Sequence, residues 1–346
     1  MRNLFICHTQ AQLIIASGLS LGRFKNDENY LILFVDFGLK DDLRSRLQKT
    51  FHKALFLQSI YPAEYDTFKA KLSWYPKDWA LIKGFLREPM DRAFAVCDWL
   101  LLVQKTLKYV YKANHNVDLA WLEDGIIAYY KDSDNRRGLD RYSFTMLLRR
   151  LVVRDILGVG SFYDRDFPET GGLKPLKKAY TCYPTAVREP YKSKRVLVPI
   201  SEEEFYLGLL SMYPKSPMDI KPNTVILVVD KLDRYAYPEM VKSSLRSFIH
   251  QCKLDGKSVV CKFHPRETQS WDVFDGCAHL DKAIGIESTY VSLAEIKDSI
   301  IIAGIKSTGL MTAKKIGYNT ISLFHSCGEK NDDLERFYSL LGIPIY

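Results

Sequence analysis

The sequence predicts an α/β protein made of two units, each with a largely parallel β-sheet. Three observations carry this expectation. The chain opens strand–helix–strand, an order that sets neighbouring strands parallel. Its second half alternates in the same way without repeating the first half's sequence. And 346 residues are many for one ordinary core but comfortable for two.

Residues 3–7, NLFIC, are apolar and β-favouring and read as a first buried strand. A helix over 12–22 and a strand over 30–34 follow. Thr9 and Gln10 stand where the first strand ends and the helix begins, a place for an anion or a sugar hydroxyl. Residues 41–51 read as a polar-faced helix and 54–57 as a short strand. Residues 62–86 hold Trp74, Tyr75, Trp79 and Phe85 among basic residues in no clean period. Residues 90–111 read as one long helix and 117–122 as a strand. Glu123, Asp124 and Gly125 come next, two carboxylates and a tight turn at a sheet's carboxyl edge. The stretch 136–154 carries Arg136, Arg137, Arg141, Arg149, Arg150 and Arg154 among apolar residues. It suits either a helix with a solvated basic face or contact with a membrane surface or anionic glycolipid. Residues 171–190, with Gly, Pro and short polar residues, read as a linker. The units are therefore expected at 1–190 and 191–346.

In the second half, strands are expected at 196–199, 225–229, 259–261, 300–303 and 320–324. Helices are expected at 238–254 and 292–297, and from 312 onward. The strand at 225–229 ends in Asp230, with Asp233 just beyond. The strand at 259–261 runs into Lys262, Phe263, His264, Pro265 and Arg266. Proline lacks a backbone donor and stops the ladder, so the cations collect at the carboxyl edge, where open α/β sheets bind ligands. A cation, an imidazole and a guanidinium together suit a phosphate; in isolation the stretch is also an ordinary basic surface loop. The strand at 300–303 runs through Lys306 into Ser307, Thr308 and Gly309. Hydroxyls and backbone amides at a helix start form an anion site that needs no metal, and equally an ordinary N-cap. Glu295 is placed either to accept from a ribose diol or to be an exposed helix acid.

Composition narrows the class. Hydrophobic residues make up 47% and charged residues 26%, the balance of a globular protein. No apolar run approaches about 20 residues, so no transmembrane helix is expected. The N-terminus has no signal-peptide pattern, which points to the cytoplasm. The seven cysteines show no CxxC pairing, as in a reducing compartment, and suggest no zinc site. A net charge of +8 calls for an anionic partner: nucleic acid, anionic lipid or a phosphorylated substrate. Acids at 123–124 and 230–233 and the lack of a recognisable binding motif argue against nucleic acid. P-loop, GxGxxG, HExxH and GxSxG patterns are missing.

LEDG at 122–125, KFHP at 262–265 and Ser307-Thr308 resemble, in that order, three motifs of the bacterial sialyltransferases. NLFICHTQAQ and RFYSLLGIPI resemble the opening and the end of family 52 glycosyltransferases, which sialylate lipooligosaccharide or capsule. The likeness covers islands at both ends and in the middle. It implies a GT-B fold, two Rossmann-like domains facing across a cleft, the first on the acceptor side and the second binding a CMP-sugar. It implies CMP-sialic acid as donor, a galactose-terminated bacterial surface glycan as acceptor, inversion at the anomeric carbon, and no metal or other cofactor. By motif position Asp124 matches the general base, and His264 and Ser307 match residues that hold the donor phosphate. Lys262, Pro265, Thr308 and Gly309 surround them, with Glu295 at the ribose and Thr9, Gln10 and Glu123 toward the acceptor. Family 52 also places a base after the strand that precedes the HP strand, here Asp230 or Asp233, so the base is open among three aspartates. The donor chemistry also fits a polysialyltransferase or a transferase of another CMP-activated acid such as Kdo. The N-terminal membrane anchor of some relatives is missing from this sequence, so any membrane contact is expected to be peripheral, at the inner face. A homodimer is compatible.

Overall fold

In this computed structural model the described residues are 1–35, 37–58, 68–97, 100–130, 162, 173–189, 192, 195–231, 235, 237–264, 267, 271–282 and 284–346. The Arg-rich stretch 136–154, Asp233 and Pro265 lie outside them.

The chain divides into two compact units, Met1–Met212 and Tyr213–Tyr346. The first begins β1 (Arg2–Cys7), α1 (Gln10–Leu21), β2 (Glu28–Val35), α2 (Asp41–Thr50) and β3 (Lys53–Gln58). It continues through α3 (Phe68–Phe85), β4 (Arg92–Ala95), α4 (Leu101–Ala113), β5 (Asp118–Leu122), β6 (Lys178–Thr181), β7 (Val196–Pro199) and α5 (Glu202–Met212). The sheet order is β3-β2-β1-β4-β5-β6-β7, and every neighbouring pair is parallel. β1 is buried on both faces, as its unbroken apolar run requires of a central parallel strand. Phe5 stacks on Phe94 of β4 at 4.7 Å in that core.

The second unit comprises β8 (Thr224–Val229), α6 (Pro238–Leu254), β9 (Ser258–Phe263), β10 (Ala278–His279) and α7 (Ile286–Ser292). β11 (Ile300–Gly304), α8 (Thr308–Lys315), β12 (Asn319–Ser322) and α9 (Asp332–Leu340) complete it. Its sheet runs β10-β9-β8-β11-β12, again parallel throughout.

Two expectations are corrected. Residues 90–111 are not one helix: Arg92–Ala95 is a strand between β1 and β5, and the helix begins at Leu101. Arg, Ala and Phe tolerate either state, and pairing on both sides decides. The boundary is not near 190. Val196–Pro199 pairs with Lys178–Thr181 as the edge strand of the first sheet, and α5 packs on α1. That packing needs glycine: a Cβ on Gly208 would stand 1.8 Å from the Ile14 carbonyl oxygen, and one on Gly18 2.0 Å from that of Glu204. Arg23 adds a bidentate grip on Glu204 at 2.8 and 2.9 Å.

Each sheet has a point where the strand order reverses. In the first it lies between β1 and β4, in the second between β8 and β11. The carboxyl ends beside such a point are where open α/β sheets take ligands.

Candidate functional site

At the reversal point of the first unit β1 ends in Cys7 and the chain turns into α1 through His8 and Thr9. The His8 ring is buried and stacks on Phe34 at 4.7 Å. Thr9 is the N-cap: its Oγ1 accepts from Gln12 N at 3.4 Å. Gln12 closes the capping box, its Oε1 accepting from His8 N at 2.6 Å and Thr9 N at 3.2 Å. Its Nε2 donates to Asp124 Oδ1 at 2.7 Å. Asp124 follows β5, and Gly125 behind it takes a φ of 56°, a turn that favours glycine. Cys97, just past β4, donates its thiol to Asp124 Oδ2 at 3.9 Å. Burial pushes the Asp124 carboxyl above its ordinary pKa, while the Gln12 hydrogen bond, the nearby His8 and the Cys97 thiol act the other way.

Glu123 faces elsewhere. It is buried and accepts from the Tyr129 hydroxyl and from Cys182 N at 2.6 Å. Tyr129 Oη in turn accepts from Tyr183 N at 3.1 Å. This carboxylate ties the turn after β5 to the chain after β6. Neighbouring acids at a strand end thus take two different jobs, and only Asp124 joins the Gln12 cluster.

In the second unit His264 follows β9 half-buried, and its N–H donates to the Val229 carbonyl at 2.9 Å, carrying the ladder one residue further. Lys262 is buried, with Nζ donating to the carbonyls of Phe263 and Lys282, each at 3.2 Å. Burial lowers its pKa, and Asp281 and Glu287 oppose the shift. Its ammonium braces the loop that follows β10. Ser307 is the N-cap of α8, its Oγ accepting from Gly309 N at 3.2 Å, and Thr308 is exposed in the first turn. Gly309 lies against α7, where the Tyr290 hydroxyl donates to its carbonyl at 3.1 Å. Asp230, at the end of β8, is buried and accepts from Tyr235 Oη at 3.2 Å. Lys306 lies 5.1 Å from the Tyr235 ring centre and donates to Glu329 Oε2 at 3.1 Å.

Glu295 is not brought to this edge. It sits in the turn leading into the amino end of β11, exposed and paired with Lys215 at 2.9 Å. Two acids of the second unit act on Lys262, Asp281 after β10 and Glu287 on α7. Burial raises the Glu287 pKa, and Lys262 opposes the rise. Sequence reading missed Glu287 because β10 is two exposed residues long, too short to signal a strand end. It also missed Gln12, naming Thr9 and Gln10. The signal was present, since Thr9 with Gln12 three residues on is the capping-box spacing.

A family model described as alpha-2,8-polysialyltransferase (POLYST) matches residues 3–324. The chain belongs to the alpha-2,8-polysialyltransferase family. The sialyltransferase resemblance therefore stands at the level of the polysialyltransferase family. LEDG, KFHP and Ser307-Thr308 all fall inside the span matched by this polysialyltransferase family. No curated protein matches the sequence.

Solved structures with TM-scores above 0.5 share the fold. The UDP-GlcNAc 2-epimerase from Methanocaldococcus jannaschii aligns at 12% identity and a TM-score of 0.55, over 99% of this chain and 92% of that one. The Neisseria meningitidis UDP-GlcNAc 2-epimerase bound to UDP-GlcNAc aligns at 10% identity and 0.53, over 98% and 90%. The GT-B domain of a Photobacterium damselae sialyltransferase aligns at 14% identity and 0.49, over 99% and 97%. The expected α/β architecture of two parallel-sheet units is thus the fold of this polysialyltransferase-family chain.

Proposed function

We propose that this chain moves sialic acid from CMP-sialic acid to a hydroxyl of a glycan acceptor, with extension of a sialic acid chain as the preferred reaction. The observation that carries the reading is Asp124, a half-buried carboxyl held by Gln12 at the ligand edge of the first sheet. A sugar hydroxyl is a poor nucleophile until a positioned base takes its proton. Burial raises the Asp124 carboxyl above its ordinary pKa, the direction that suits a base. In the reaction Asp124 takes the acceptor proton as the acceptor oxygen bonds to the anomeric carbon. The bond from that carbon to the phosphate oxygen breaks, and CMP leaves with the electron pair. Attack from the face opposite the leaving group inverts the centre.

On this reading the second unit holds the donor. His264 and the Ser307–Gly309 turn at the start of α8 stabilise the phosphate as it gains charge. Lys262 acts through the loop it braces, Glu287 replaces Glu295 as the acid for the ribose, and Asp230 is anchored by Tyr235. No metal is required.

The test is to incubate the protein with CMP-sialic acid and either an oligosialic acid or a lactoside, and to follow CMP release and product mass. The expected result is CMP release tied to elongation of the oligosialic acid and unchanged by a chelator. Transfer to the lactoside alone would favour single sialylation of galactose-terminated glycans. CMP-Kdo in place of CMP-sialic acid tests the other activated acid. No CMP release with any acceptor overturns the proposal.

A further inference from the structure

We infer that Gln12 is the positioning residue for Asp124: one amide caps α1 with its oxygen and orients the carboxylate with its nitrogen. The inference rests on reading Asp124 as the base.

The orientation of this amide is fixed by its surroundings. Two backbone N–H groups, of His8 at 2.6 Å and Thr9 at 3.2 Å, point at one end, so that end is the oxygen. The other end is therefore the NH2 group, 2.7 Å from Asp124 Oδ1 and 3.8 Å from Cys97 Sγ. The whole side chain is buried, where an unmet donor is costly and wrong rotamers are excluded. The Asp124 carboxylate thus has Oδ1 pinned by a short hydrogen bond, while Oδ2 meets the longer 3.9 Å contact from Cys97.

The choice of amide over acid is informative. A capping box takes Glu or Gln at this position, and the positive end of a helix favours Glu. A Glu here would keep the cap but set a second carboxylate against Asp124. Gln satisfies both ends. The groups that face Asp124 are His8 from the end of β1, Gln12 from α1, and Cys97 from beyond β4; Cys7, buried, also lies within electrostatic range. Glu123, next in the chain, is turned to Tyr129 and Cys182.

Gln12→Glu is the test, because it preserves size and cap and replaces the donor with a carboxylate oxygen. The side chain that faces Asp124 becomes an anion, so the proton on Asp124 is held more tightly and the base ionises at higher pH. The acid limb of the kcat–pH profile is expected to move up by about one unit or more, with roughly tenfold less activity at a pH below both limbs for each unit moved. Activity should recover at high pH, and the melting-temperature rise given by CMP should equal that of the wild type. The exchange Gln12→Glu with Asp124→Asn restores a donor–acceptor pair in reverse. It should recover the melting temperature lost by Gln12→Glu while staying inactive.

A Gln12→Glu protein with an unshifted profile overturns the inference and leaves the base assignment standing, provided that Asp124→Asn is inactive. An active Asp124→Asn removes the base assignment itself. If Gln12→Glu does not fold, recovery in the double variant supports the pairing, and failure of both to fold overturns it.

Discussion

Asp124 carries a consequence for stability as well as for chemistry. In the unfolded chain it titrates as an ordinary carboxyl; in the folded protein burial raises its pKa. The folded state therefore holds this proton more tightly. Its stabilising contribution is complete below the usual carboxylate range and is lost as pH rises through the raised value. Asp124→Asn, never charged, is expected to melt higher than the wild type near neutral pH and to lose that advantage near about pH 3. Thermal melts of both proteins across pH check this; a lower melting temperature at neutral pH would mean that the carboxylate is stabilised there. The acid pair before Gly125 was legible as a motif, and so were the HP and Ser-Thr turns. What the sequence did not show was direction. Glu123 and Asp124 are adjacent letters, yet one enters the core beside Tyr129 and the other meets Gln12. Glu295 and Glu287 lie eight residues apart at opposite edges of one sheet, separated by a helix too short to read from periodicity.

Elements fix these side chains, and two of them can be probed singly. Ser307 caps α8 through Gly309 N. Ser307→Ala should cost about 1 kcal/mol of stability and, on the proposed donor site, also weaken CMP binding. Denaturant melts with and without CMP separate the two effects, and an undiminished CMP shift would remove Ser307 from the donor site. Gly208 lets α5 lie on α1. Gly208→Ala pushes a methyl into the Ile14 carbonyl and should cost about 3 kcal/mol, the upper end for overpacking. A loss below 0.5 kcal/mol in urea unfolding, roughly the scale of a surface change, would show that the helices separate easily. The central strands β1, β8, β9 and β11 were readable because each is a buried apolar run between polar turns. Arg92–Ala95 was not, because four residues of mixed propensity have no period of their own, and only the neighbours β1 and β5 make them a strand.

For the whole molecule, the number of units and their parallel sheets followed from length and alternation, whereas the boundary did not. Gly and Pro near 171–190 looked like a linker, but the chain returns to the first sheet as β7 and to α1 as α5. A fragment of residues 1–212 is therefore expected to unfold cooperatively, and a fragment of residues 1–190, lacking β7 and α5, is not. Residues 213–346 alone should keep the CMP-induced melting shift. Circular dichroism melts of the fragments decide this; a cooperative 1–190 would return the boundary to the linker. The net charge of +8 is consistent with a phosphorylated donor and an anionic acceptor, and among the described residues no helix is long and apolar enough to cross a membrane.

The most direct measurement is single-turnover transfer from CMP-sialic acid to an oligosialic acceptor by wild type, Asp124→Asn and His264→Ala, beside CMP affinity for each. The expected result separates the roles: Asp124→Asn loses about 10²–10⁴-fold in rate with CMP affinity unchanged, and His264→Ala loses both rate and affinity. Near-full transfer by both variants would contradict the account at its centre.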